Sequence, residues 1–243
     1  MKPLLDKVLD FVRLVQRGHA GGAWRMVLGR IYSRPVDLGL VRDLSVPVQA
    51  PPARIEYELR PLRDDDDLTF LTQAPPDESD HEAVLRLNQL RFVRAAIPTC
   101  YVAVTPDNRI CFMQWIIAAR DIPRVNALFG PIYPAFADDE ALLEGAYTPE
   151  AFRGKGLMSV GLTRVAAFGT HFGAKRAYTF VADDNIPSLK GCKKAGFVPA
   201  IARTYTFLCF YRFVGFRDLP PGTPYSFDAL PQSPPQPAMQ APR

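Results

Sequence analysis

The chain has 243 residues, 48% of them hydrophobic and 22% charged, with a formal net charge of +4. That is long enough for one domain with a substantial core plus extensions, and the composition excludes a disordered or fibrous chain. The charge is too mild to argue for nucleic acid, and no uncharged apolar run approaches the ~20 residues that a membrane-spanning helix needs.

Residues 2–17 carry Leu4, Leu5, Val8, Phe11, Val12 and Val15 at helical spacing, and 24–32 read as a shorter second helix. Seven lysines and arginines stand against Asp6 and Asp10 over residues 1–34. Residues 1–50 are therefore expected to be a basic amphipathic helical extension. It suits a helix packed on the domain's own flank, and also contact with an anionic membrane surface or an acidic acyl carrier protein. Asp6, Lys7 and Asp10 interrupt any signal-peptide core. Four widely spaced cysteines (Cys100, Cys111, Cys192, Cys209) lack CxxC or zinc spacing, so they read as reduced thiols in a cytoplasmic protein with no metal.

Prolines 47, 51 and 52 mark a linker. Residues 54–62 alternate as a strand; the acidic run 64–67 opens a helical turn; residues 80–96 form a helix. Segments 99–105 and 109–118 flank a Pro-Asp-Asn turn as a hairpin. Residues 119–140 read as a long loop with the aromatic-proline stretch FGPIYP, suited to the wall of an acceptor pocket. The run 204–216 reads as the final strand or strands, and 219–243 as a proline-rich extended or disordered tail.

Between them lies the most informative stretch, 144–197. A strand over 141–147 leads through the turn TPEAFRGKG into a helix over 157–172. Glycine at 154 and 156 lets the backbone approach a ligand, and a helix start with free amides suits an anion, phosphate above all. A second strand, 175–182, is followed by Asn185 as the cap of a helix over 186–195, then Gly196 and Phe197.

This order and these residues resemble the GNAT superfamily of acyl-CoA-dependent N-acetyltransferases, over residues 54–213. Arg153, Gly154, Lys155 and Gly156 resemble the family's pyrophosphate loop, while Asn185, Ser188, Lys194, Gly196 and Phe197 match its later element. The resemblance implies an α/β fold with one mixed sheet, helices on both faces, and central parallel strands splayed to admit the pantetheine arm. It implies acetyl-CoA or another acyl-CoA as co-substrate, bound by Arg153, Gly154, Lys155, Gly156, Leu157 and Met158. A backbone amide near Tyr147 and Thr148 would hold the thioester carbonyl, and Asn185 and Ser188 would frame the pantetheine. Two departures stand out. Met158 replaces a small residue and is expected to narrow the loop groove, and Cys192 occupies the position of the usual tyrosine proton donor.

Glu144, isolated within the apolar run ALLEGAY, is the candidate general base, because partial burial raises a carboxyl pKa toward the useful range. Tyr147 and Cys192 are the candidate proton donors, although a buried cysteine is commonly structural. The resulting expectation is an acyl-CoA-dependent N-acyltransferase (EC 2.3.1 type) acting on a small-molecule amine, with a homodimer compatible with the sequence. Two alternatives stay open: a donor on an acyl carrier protein or a longer acyl-CoA, and a non-catalytic binding or regulatory module of the same fold.

Overall fold

The computed structural model describes residues 28–49, 52–75 and 78–228. The helix expected over 2–17, and with it the proposed carrier or membrane contact, lies outside the described residues, as does the tail from 229 onward.

A nine-stranded mixed sheet forms the centre. Its strands in chain order are β1 (Tyr32–Ser33), β2 (Val36–Asp43), β3 (Glu58–Pro61), β4 (Cys100–Val104), β5 (Ile110–Ala118), β6 (Glu140–Tyr147), β7 (Arg176–Ala182), β8 (Val198–Leu208) and β9 (Tyr211–Asp218). Across the sheet they run β3-β4-β5-β6-β7-β2-β8-β9, with β1 continuing the edge that β2 offers to β8. Among the described strands only β6 and β7 are parallel. The helices are α1 (Thr69–Thr72), α2 (Asp80–Arg94), α3 (Ile122–Phe129), α4 (Leu157–Phe168) and α5 (Ile186–Lys194).

Helices on both faces bury the central strand β5 along its whole length. On one face α4 and α5 contribute Leu157, Leu162, Val165, Leu189 and Cys192 to a core with Phe112 and Ile116. On the other, Leu71, Phe92, Ile122 and Val125 of α1–α3 pack with Met113, Trp115 and Ile117. Helix α2 starts at a capping box: Ser79 Oγ accepts from the Glu82 amide at 3.3 Å, and the Ser79 amide donates to Glu82 Oε2 at 3.1 Å.

Three boundaries differ from the sequence reading. The domain does not begin near residue 54, because β2 lies in the middle of the sheet, hydrogen-bonded to β7 on one side and β8 on the other. Its sequence VDLGLVRD alternates, sending Leu38 and Leu40 into the α4–α5 core while Asp37 and Gly39 face the opposite layer. The presumed loop 119–140 contains α3, which starts with Pro123 in its first turn, where a missing N–H costs nothing. Nor are residues 219–228 a free tail: Tyr225 is 4% exposed and its hydroxyl donates to the Phe197 carbonyl. No helix among the described residues is long and apolar enough to cross a membrane.

Gly39 shows why β2 fits. A Cβ at this position would sit 2.7 Å from the Phe180 ring and 3.0 Å from Ile201, so only glycine lets that ring lie across the strand. Gly39→Val is expected to destabilise the domain by about 2 kcal/mol, the usual cost of overpacking a full core. Urea unfolding measures it, and unchanged stability would mean that Phe180 is not seated there.

Candidate active site

The parallel strands β6 and β7 are paired only from Glu140 to Leu142. Beyond Leu142, β6 stays with β5 and β7 stays with β2, so the two strands part toward their C-terminal ends. The expected splay is present, and the glycine turn, Glu144 and Tyr147 lie at its mouth.

The turn after β6 forms an amide cradle. Gly154 (φ +73°) and Gly156 (φ +81°) adopt left-handed conformations that L side chains rarely take, and Gly156 is the N-cap of α4. Among the described residues no side chain caps that helix, which leaves its first-turn N–H groups and positive dipole end available to a ligand. A Cβ at Gly154 would meet nothing within 4 Å, so the backbone there is open to close approach. These residues fit a pyrophosphate.

The flanking side chains differ from expectation. The Arg153 guanidinium donates to Glu82 of α2, and its Nε to the Thr148 carbonyl at 3.2 Å. That partnership, with the capping bonds from Ser79, holds the Glu82 carboxyl down at about 2. The Lys155 ammonium lies 5.3 Å over the Phe152 ring. Met158 leans toward α5, where glycine at 191 makes room: a Cβ there would be 3.3 Å from its Sδ. On α5, Asn185 Oδ1 accepts from the Ser188 amide at 3.2 Å and fixes the start of that helix beside the split.

Glu144 and Tyr147 lie on the opposite face. Met113 pairs with Tyr147 but Trp115 with Glu144, so β6 spends one residue more than β5 and bulges at Gly145 (φ +68°). The Gly145 N–H turns out of the ladder to Glu144 Oε1 at 3.0 Å, and the other carboxylate oxygen accepts from the Tyr133 hydroxyl. Over the bulge sits Gln89, 3% exposed, with an Oε1 that has no partner among the described residues. Burial raises the Glu144 carboxyl above its ordinary value, opposed by Tyr133, the Gly145 amide and then Arg203. Burial and the Glu144 charge push Tyr133 well above 10, so its hydroxyl keeps its proton.

Tyr133 is held in turn by Arg203 on β8. This guanidinium lies 5.3 Å from the Tyr133 ring centre, 4.4 Å from Phe180 and 5.0 Å from Tyr205. Its Nη1 donates to the Ile132 carbonyl at 2.9 Å, and Nε and Nη2 to Asp37 of β2 at 3.1 and 2.5 Å. Tyr147 stacks on Phe70 at 6.0 Å.

Thus Glu144, Tyr147, Thr148, Arg153, Gly154, Lys155, Gly156, Leu157, Met158, Asn185 and Ser188 lie around the split. Cys192 does not join them. It is 1% exposed within the α4–α5 core, and burial pushes its thiol up to about 12, so a proton-donor role does not suit it. Tyr133, Gln89, Arg203 and Asp37 were missed. The one signal available was an acidic residue in β2 and a basic one in β8, each inside an apolar run. Among the described residues no group of histidine, cysteine, aspartate and glutamate has the makings of a metal site. One open hollow, about 440 Å³ and lined by Asp43, Asp139, Lys175 and Arg176 among others, lies at the far end of the sheet.

Residues 67–197, more than half of the chain, match the model of the Acetyltransferase (GNAT) family. The chain belongs to that family, whose members use an acyl-CoA as co-substrate. No curated protein matches its sequence. Solved structures match the fold. A GNAT acetyltransferase from Colwellia psychrerythraea is 13% identical (TM-score 0.45; 74% of this chain, 58% of that one). A GNAT acetyltransferase from Novosphingobium aromaticivorans is 17% identical (TM-score 0.46; 72% and 64%). A fungal multi-domain GH3 β-N-acetylglucosaminidase contains a region described as a GCN5-related glucosamine N-acetyltransferase, 11% identical (TM-score 0.52; 81% and 22%). The chain spans about three fifths of the first of these solved chains. The matched stretch excludes β2, β8 and β9, so Asp37 and Arg203 come from outside it.

Asp37→Ala strands a buried guanidinium and is expected to cost about 3 kcal/mol, whereas Asp37→Leu with Arg203→Met removes both charges and recovers most of it. Denaturant unfolding of the single and double variants measures the difference.

Proposed function

We propose that the protein transfers an acetyl group, or another short acyl group, from acyl-CoA to the primary amine of a small molecule, directly within a ternary complex. The observation that carries this reading is the Glu144–Tyr133 pair at the β6–β7 split, within one sheet of an uncapped helix start suited to pyrophosphate. Acetyl-CoA supplies the acyl group as an activated thioester. The amides of α4's first turn, with Gly154 and Gly156, hold its pyrophosphate, and the parted strands give the pantetheine arm a path.

Glu144 takes a proton from the acceptor nitrogen as the N–C bond forms and the C–S bond breaks. A carboxyl whose pKa is raised by burial is a stronger base than an exposed one. Tyr133 orients it, and the unpaired Gln89 Oε1 provides an acceptor for a second amine N–H beside the Gly145 bulge. With cysteine at 192, the departing thiol relies on its own acidity and leaves as thiolate, taking its proton from water.

Glu144→Gln is expected to lower kcat by about 10²- to 10⁴-fold while acetyl-CoA affinity is unchanged. The wild-type rate should fall as pH drops through an apparent pKa above the ordinary ~4.3 of glutamate. Tyr133→Phe removes a bond that favours the carboxylate, so that limb should move to higher pH. A pH–kcat/KM profile of the three proteins decides; an unchanged Glu144→Gln rate would remove Glu144 from catalysis.

Donor binding is tested separately by calorimetric titration with acetyl-CoA. Wild-type binding should be lost in Gly156→Pro, since proline cannot adopt the φ of +81° that opens the cradle. A wild-type protein that binds no acetyl-CoA would overturn the donor assignment.

A further inference from the structure

The face of β8 that carries Arg203 continues outward as a regular strip. Tyr205 lies 5.0 Å from the Arg203 guanidinium and stacks with Phe207 at 6.4 Å. The Arg30 guanidinium lies 4.8 Å over the Phe207 ring from the helical turn before β1. Across the β8–β9 ladder, the residue opposite Phe207 is Arg212. Its Nη2 donates to the Phe129 carbonyl, at the start of the segment whose Ile132 carbonyl and Tyr133 hydroxyl meet Arg203 and Glu144.

The two ends of the strip differ in charge. Arg203 is neutralised by Asp37. Arg30 and Arg212 flank Phe207 with no carboxylate paired to either among the described residues. Burial, then the charge of Arg212, holds Arg30 below its ordinary value. Two cations kept together without a counter-ion among the described residues, both half-buried, form a place where an anion gains charge-assisted hydrogen bonds. Tyr205 and Phe207, both half-buried, offer ring surface between the two ends.

We propose that the acceptor lies along this strip, with its amine at Glu144, an apolar or aromatic body against Tyr205 and Phe207, and a carboxylate or phosphate between Arg30 and Arg212. This rests on the reading of the site as an N-acyltransferase and adds the substrate class: an elongated amine with an anionic far end. Arg203 and Phe207 are four strand residues apart, ~14 Å along β8, and β7 and β2 separate β8 from Glu144 on β6 by three spacings of ~4.8 Å, so the strip taken from Glu144 is upward of about 20 Å long.

The test measures thiol release from acetyl-CoA with three series of primary amines of increasing length: ω-amino carboxylates, ω-amino phosphonates and neutral n-alkylamines. Specificity (kcat/KM) should rise by about tenfold or more in an anionic series as its span approaches the strip length, without a matching rise among neutral amines. Whichever anion rises further identifies the acceptor's terminal group. Arg30→Gln should raise KM for the long anionic amine by about tenfold with kcat unchanged, Arg30→Lys should restore much of it, and KM for the neutral amine should stay constant. Turnover of charged and neutral amines alike, or an Arg30→Gln loss shared equally by both series, would overturn the anion subsite and leave the transferase reading standing. No thiol release with any amine, in protein that binds acetyl-CoA, would overturn the transferase reading and this inference together.

Discussion

A guanidinium withdrawn from water has to be matched by a charge and by acceptors, and much of the site follows from how that is done for Arg203. Its side chain is 6% exposed and its Asp37 partner 14% exposed, so the pair lies in the low-dielectric part of the domain. Three aromatic rings surround the cation, and its remaining nitrogen, Nη1, donates to the Ile132 carbonyl. That last bond matters for chemistry, because Tyr133 is the next residue. Fixing one backbone carbonyl fixes the phenol that bonds Glu144. Strand β2 supplies Asp37 and also glycine at 39, which lets Phe180 complete the cage. An ion pair that looks purely structural is therefore what orients Glu144.

The electrostatics of Glu144 follow from the same arrangement. Burial favours the neutral carboxyl, while the Tyr133 hydroxyl, the Gly145 amide and the Arg203 charge favour the carboxylate. The balance leaves the pKa raised, because burial outweighs these three and the charge of Asp37, which compensates Arg203, adds to it. With Asp37 absent, Arg203 would act as a full positive charge beside Glu144 and lower the pKa of its carboxyl. A neutralised cation can orient a carboxylate without quenching it.

How much of this was legible in the sequence depended on whether the signal was local. The glycine turn was readable because its glycines, the helix start and the Asn185 cap occur within one short stretch. Glu144 was readable as a lone acid in an apolar strand. Asp37, Tyr133 and Arg203 were not, since they come together only through sheet pairing: Asp37 and Arg203 are 166 residues apart and adjacent across the β2–β8 ladder. Nothing in VDLGLVRD marks a central strand, because its half-polar alternation equally suits an edge or an amphipathic extension. The helix in 122–129 was hidden by a proline that reads as loop punctuation and in fact starts the helix. Cys192 failed for the converse reason: a motif position fixes where a residue lies along the chain, not whether its side chain reaches the split.

Arg153 shows how such a position acquires a second duty. Its guanidinium is bound to Glu82, which closes the capping box of α2 with its other oxygen. One carboxylate thus ties the start of the helix that carries Gln89 to the turn that starts α4, joining the two faces of the sheet across the split. A pyrophosphate at the α4 amides would bring more negative charge near Arg153 than Glu82 holds, yet the pair is partly exposed, at 41% and 26%, and so weakly held. The amides and the helix dipole do not depend on that side chain, since neither moves when Arg153 changes partner. In the proposed donor site, affinity would therefore rest chiefly on backbone, leaving Arg153 to couple the cradle to α2.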